Sequence, residues 1–135
     1  MREVRNMTWG NYTFFIEEIV DEIRDAKKEY SNVYGIPRGG LITAVMLSHC
    51  LDIPVITDSS LITKKTLVCD DISDSGETLE RLLSLRGSDN DVAVVVGNPT
   101  SKIKPTYQGM RNRNNYYINF PYEKGEDTIS SVKNE

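Results

Sequence analysis

A chain of 135 residues, 39% apolar and 27% charged with a net charge of -4, has the size of one domain around one core, and its mean hydropathy of -0.41 fits a folded globular protein and excludes a disordered one. Its longest apolar runs, such as Val92 to Val96, fall far short of the ~20 residues that a membrane span requires. The stretch MREVRNMTWGNYTFF lacks the apolar core and small-residue cleavage site of a secretory signal, so a cytoplasmic location without a membrane partner is expected.

In chain order, Ile16, Ile19, Val20, Ile23 and Ala26 recur at helical spacing between charged residues, which predicts an amphipathic helix from about Trp9 to Glu29, capped by Thr8 or Asn11. NVYGIPRGG follows as a short strand, Val33 to Ile36, stopped by a proline and two glycines. Leu41 to Leu51 is apolar nearly all round and predicts a buried helix. Cys50 and Cys69 lie in apolar contexts without metal-like spacing, as buried thiols do, and the one histidine, His49, suits a structural or surface role. IPVIT and KTLVCDD are the next strands, joined by a short segment, Asp58 to Lys65. Leu79, Leu82 and Leu83 then line one helix face, Glu77 and Arg81 are spaced as an i,i+4 pair, and Gly87 ends the run.

DVAVVVG is a continuous β-branched strand of the kind buried on both faces of a parallel sheet. Asn98 to Asn115, with Pro99, Pro105 and Gly109, predicts a long polar excursion. A last strand, NYYINF, precedes Pro121 and a charged tail expected to fray over about 124–135. Strands alternating with helices predict one α/β domain, 1–135, with a mainly parallel sheet flanked by helices. In such sheets ligands bind beyond the carboxyl ends of the strands, where Pro37 to Gly40 and Asp70 to Thr78 fall.

Charge is unevenly placed. No acidic residue occurs from Val92 to Tyr122, where Lys102, Lys104, Arg111 and Arg113 lie, so an acidic body carries one basic segment. That pattern favours a local anion site over a nucleic-acid surface. In DDISDSGET the strand-to-helix turn offers backbone N–H groups, a glycine that permits close approach, and the hydroxyls of Ser73, Ser75 and Thr78, which together with the helix dipole make a phosphate cradle. Asp70 and Asp71 would repel that phosphate. They are suited instead to sugar hydroxyls or to a magnesium ion met through water. A capped helix after an acidic turn, with Ser75 as N-cap, accounts for the same residues without a ligand. GIPRGG supplies a second anion site, with the amides of Gly39 and Gly40 exposed and the forked donors of Arg38 beside them.

LVCDDISDSGET resembles the defining stretch of the type I phosphoribosyltransferases, and GIPRGGL is similar to their pyrophosphate loop. YYINFPYE is similar to the aromatic, proline-aromatic-acid ending of the small purine enzymes of xanthine-guanine and hypoxanthine type, so the resemblance spans roughly Val33 to Glu123. It implies a single-domain fold of that family, Mg²⁺ as cofactor, 5-phosphoribosyl 1-diphosphate and a purine base as partners, and a homo-oligomer. By the same resemblance Asp70 and Asp71 hold the ribose diol and organise Mg²⁺, through water. Ser73, Ser75, Gly76, Glu77 and Thr78 wrap the 5-phosphate, and Arg38, Gly39 and Gly40 hold the diphosphate. Asp74 faces the base as general base, Tyr117 stacks on it, and the Ile118 backbone meets its edge.

Three features depart from the purine pattern. Asn98 stands where those enzymes carry a lysine that reads an exocyclic oxygen, the segment from Asp58 to Lys65 is short where they have a closing loop, and Asn98 to Asn115 matches no family pattern. The implied activity is phosphoribosyl transfer to a purine in salvage. The alternative is a regulatory protein of the same fold that binds the ribosyl diphosphate or a nucleotide, with a link to RNA through the basic segment.

Overall fold

The computed structural model describes residues 2–86 and 89–123. The tail at about 124–135 and the helix stop at Gly87 lie outside the described residues.

Thr8 and Asn11 cap the first helix reciprocally: Thr8 Oγ1 accepts from the Asn11 amide at 3.0 Å, and Asn11 Oδ1 accepts from the Thr8 amide at 3.2 Å. This helix, α1 (Trp9–Ala26), buries Tyr12, Ile16, Ile19, Val20 and Ile23 along one stripe. It ends short of the expected Glu29 because Lys27 turns left-handed, with φ 54, and returns its N–H to Arg24.

Strand β2 (Asn32–Gly35) leads into α2 (Gly39–Leu51), and β3 (Val55–Ile56) into β4 (Thr66–Ser73). Helix α3 (Glu77–Arg86) and strand β5 (Val92–Gly97) follow. The segment between β3 and β4 holds only a short 3-10 turn, Ser59–Leu61. These strands form the body of a parallel sheet ordered β3-β2-β4-β5-β6, the last being β6 (Tyr107–Arg111). Helices α1 and α2 cover one face, packing Ile16, Ile19 and Leu47 against Val33, Leu67 and Val95. Leu79 of α3 closes the other face over Val68, Val92 and Val94. The doubly buried β5 is the element its β-branched run predicts.

Four expectations need correction. The helix Leu41 to Leu51 is not buried all round: α2 buries Gly40, Thr43, Ala44 and Leu47, while Val45 is 47% exposed. Cys50 lies on its outer side and is exposed, whereas Cys69 is buried. The polar excursion contains β6, a full edge strand whose Ala93↔Tyr107 and Gly97↔Arg111 register extends the sheet. Finally, the C-terminal strand β7 (Tyr117–Asn119) does not join the main sheet. It pairs in parallel with β1 (Val4–Asn6), an element absent from the predicted set, as a separate two-stranded sheet.

Register decides where the sheet opens. Gly35, the end of β2, pairs with Cys69, so β4 runs four residues further, Asp70 to Ser73, beside β5 alone. The β2-side edge of that overhang is where the GIPRGG turn settles, its Ile36 amide donating to Cys69 O at 2.9 Å.

Strand β6 is held to α1 through a glycine, because a Cβ at Gly109 would lie 2.5 Å from Phe15 Cβ and 3.0 Å from Val95 O. Gly109→Val is therefore expected to lower stability by about 1–3 kcal/mol, seen as a lower denaturant midpoint. An unchanged midpoint would show that β6 is not packed in this way.

Candidate active site

The overhang of β4 carries the two adjacent carboxylates. Asp70 Oδ1 accepts the Asp71 amide and Asp71 Oδ1 accepts the Ile72 amide, each at 2.8 Å, while the Tyr122 hydroxyl donates to Asp71 Oδ2 at 2.9 Å. Three glycines let the preceding turn lie on these groups. A Cβ on Gly39 would overlap the Asp71 carboxylate, one on Gly40 would lie 2.9 Å from Cys69 O, and one on Gly35 would overlap Gly40 O. The Pro37–Arg38 peptide is cis. The Gly40 amide, expected to face an anion, is spent on Ile36 O at 2.8 Å. Among the described residues the amides of Arg38 and Gly39 in this turn have no acceptor, and the exposed Arg38 guanidinium has no partner.

Burial, and then the neighbouring Asp71 charge, push the Asp70 carboxyl up to about 8. Burial and the same Asp71 charge also raise the Tyr122 hydroxyl, so it stays a donor. Two carboxylates suit a magnesium ion that takes its remaining ligands from water and substrate phosphates. Among the described residues no group of three or more His, Cys, Asp or Glu forms an all-protein cage.

Beyond β4 the chain turns at Gly76, φ +82, where a Cβ would lie 2.6 Å from Ser101 Oγ and 2.8 Å from the amides of Lys102 and Ile103. The segment after β5 backs this turn: the Asn98 amide donates to Ser73 O at 3.1 Å and the Lys102 amide to Ser75 O at 2.7 Å. Among the described residues the amides of Asp74, Ser75 and Gly76 have no acceptor in the chain, and Thr78 lies in the first turn of α3, whose amides have no intrahelical partner. Such a run of unpaired amides at a helix start is a nest of the kind that suits an anion. The Ser73 hydroxyl, expected in the cradle, instead meets Ser101 Oγ at 2.5 Å and ties the two loops together. Glu77 faces Lys102, with 4.0 Å between Oε1 and Nζ.

Asp74 stands next to the nest, its Oδ1 accepting from Asn98 Nδ2 at 2.5 Å and its Oδ2 from Arg2 Nη1 at 3.1 Å. Arg2 Cζ also lies 5.9 Å from the centroid of the Tyr117 ring, which is 51% exposed, while Ile118 is buried. The structure thus brings Asp74, Asn98 and Tyr117 together. It adds residues that sequence reasoning did not single out: Arg2, Ser101, Asn112 and Tyr122. For Asn112 a signal existed, a polar residue in a loop that must be satisfied once buried, and it is 1% exposed. A separate cavity of about 500 Å³, lined by Lys27, Lys28, Tyr30, Lys64, Lys65 and Asp91 among others, lies at the amino ends of the strands and includes none of the predicted site residues.

No protein-family model and no curated protein matches the chain. Solved structures do. A purine phosphoribosyltransferase from Pyrococcus horikoshii is 26% identical with a TM-score of 0.75, over 90% of this chain and 95% of that one. A xanthine-guanine-hypoxanthine phosphoribosyltransferase from Helicobacter pylori is 19% identical with a TM-score of 0.78, over 98% and 100%. A protein from Neisseria gonorrhoeae with bound ppGpp is 22% identical with a TM-score of 0.81, over 98% and 96%. Among the described residues no helix is long and apolar enough to cross a membrane.

A carboxyl raised from 3.8 to about 8 keeps a proton in the folded state that the unfolded chain has released, so its contribution to stability falls as pH rises across that window and levels off above it. The melting temperature of the wild type is expected to drop between pH 5 and pH 9 more than that of Asp70→Asn, which becomes the more stable protein at the upper end. Parallel profiles would remove Asp70 from this role.

Proposed function

We propose that this chain, a phosphoribosyltransferase by its fold, moves a 5-phosphoribosyl group from 5-phosphoribosyl 1-diphosphate to a purine base, giving a nucleoside monophosphate and diphosphate. The observation that carries the reading is Asp74, a carboxylate held from both sides by Asn98 and Arg2 between the amide nest and the Tyr117 ring. In the proposed complex the nest of Asp74 to Thr78 takes the 5-phosphate and the carboxylates of Asp70 and Asp71 take the ribose diol. The amides of Arg38 and Gly39, with the Arg38 guanidinium, meet the diphosphate. Gly40 serves by letting the turn approach β4.

A ring nitrogen of the base attacks the anomeric carbon as the bond from that carbon to diphosphate breaks. Positive charge develops on the ring oxygen and the anomeric carbon, close to the acidic pair. Asp74 accepts the N–H proton of the base or its developing positive charge, and Tyr117 supplies a stacking face that fixes the approach. Magnesium, bound to the diphosphate and reached by Asp70 and Asp71 through water, would neutralise the leaving group. The same reading takes the protein as a cytoplasmic homo-oligomer acting in purine salvage.

A second reading, binding of the ribosyl diphosphate or a nucleotide for regulation without transfer, is favoured by one observation: the segment between β3 and β4 has only the 3-10 turn Ser59–Leu61 where a closing loop would be. It is in keeping with the bound ppGpp of the Neisseria gonorrhoeae neighbour.

With Mg²⁺, ribosyl diphosphate and each of guanine, xanthine, hypoxanthine and adenine, diphosphate release is expected with at least one base. Binding of the diphosphate substrate without consumption of any base would transfer the case to the regulatory reading. Asp74→Asn is expected to leave binding of ribosyl diphosphate nearly unchanged while lowering turnover by roughly 10²–10⁴-fold. Equal turnover in the variant would exclude Asp74 as the base.

A further inference from the structure

Behind the Tyr117 ring runs a hydrogen-bond chain whose direction is set by a group that cannot reverse. The backbone N–H of Tyr116 can only donate, and it donates to Asn112 Oδ1 at 3.0 Å. The Asn112 amide is thereby oriented, and its Nδ2 donates to Tyr116 O at 2.8 Å and to Asn98 Oδ1 at 2.7 Å. With its oxygen committed, Asn98 turns Nδ2 toward Asp74 Oδ1, at 2.5 Å. An ionised carboxylate only accepts, so both ends of the chain agree. Asn98 is 5% exposed and Asn112 1%, so reversing either amide would bury like groups against each other at high cost. Asn98 is therefore a fixed donor, although an amide in isolation can serve as either.

Arg2 completes the wall from the other end of the chain. Its Nε and Nη2 are anchored to Asn115 O and Tyr116 O, each at 3.2 Å, and Nη1 reaches Asp74 Oδ2 at 3.1 Å. Three of its five N–H groups are thus used, and the other two are uncommitted among the described residues. Around the Tyr117 ring, the groups built from Asp74, Asn98 and Arg2 comprise one acceptor, the carboxylate, flanked by donors.

We infer that Arg2 is the specificity-determining residue of the base subsite, reading the exocyclic group next to the ring N–H that Asp74 accepts. This rests on the base-site reading above. An exocyclic oxygen in that place accepts from the Arg2 guanidinium, and its acceptor matches the fixed donor of Asn98. An exocyclic amine sets donor against donor. The site thereby discriminates by polarity, through a cation carried by the segment leading into β1.

IMP and AMP have the same phosphate and ribose and differ at the exocyclic position and at the adjacent ring nitrogen, so it is the change in their affinity ratio on substituting Arg2, measured by calorimetry on the full chain, that isolates this interaction without requiring turnover. The wild type is expected to bind IMP at least about tenfold more tightly than AMP, the worth of one hydrogen bond to a charged group. Arg2→Gln should bring the two affinities to within about twofold, by loss of IMP affinity, and Arg2→Lys should restore part of the difference. Equal weakening of both nucleotides in Arg2→Gln, with the ratio kept, would make Arg2 an anchor only and overturn the inference. So would a wild type that prefers AMP. If ribosyl diphosphate binds and neither nucleotide does, the base-site reading itself falls and this inference with it, an outcome distinct from a preserved ratio.

Discussion

Two neighbouring carboxylates at the end of an otherwise apolar strand set the terms for everything around them. Burial and the neighbouring Asp71 charge oppose ionisation of Asp70. The surrounding structure answers with donors, the amides of Asp71 and Ile72 and the Tyr122 hydroxyl, and with the missing side chains of Gly39 and Gly40. A proton on Asp70 relieves the repulsion, and hydroxyl donors or a cation do the same. The overhang of β4 past β2 is what makes room for either.

Much of this was legible in the residues because the relevant signals are local. The stripe of α1, the β-branched run of β5 and the glycine-broken turns at Gly39 and Gly76 each announce themselves within about ten positions. The elements that were not legible lack such a signal. All three residues of β1, Val4–Asn6, are exposed, and their strand conformation comes from pairing with β7. Strand β6, YQGMR, has a glycine at its centre and polar neighbours, and it becomes a strand through the open edge of β5 and the space under Phe15. The outer side of α2 looks apolar enough to be buried, yet no described element packs over Val45.

The site divides along the same line. Asp70, Asp71, Asp74 and Gly76 sit in one stretch whose chemistry can be argued from composition, whereas Arg2 meets Asp74 across 72 positions and Tyr122 meets Asp71 across 51. The polarity of Asn98 shows the limit most clearly. Its residue type leaves donor and acceptor open, and only the backbone amide of Tyr116, acting through Asn112, decides between them. Donor polarity here is a property of the packed wall, not of the Asn98 side chain alone.

The pairing of β1 with β7 has a consequence for how the protein is made. Strand β1 is made before the other strands, and its own partner emerges only after every strand of the main sheet has already been synthesised. The sheet and its two glycine turns can close from neighbours that emerge in order, while Arg2 waits for Asn115 and Tyr116. A nascent chain arrested before Tyr116 would thus own a nearly finished scaffold whose wall around Tyr117 has yet to assemble, so the turns at Gly39 and Gly76 would mature earlier in biosynthesis than the contact between Arg2 and Asp74.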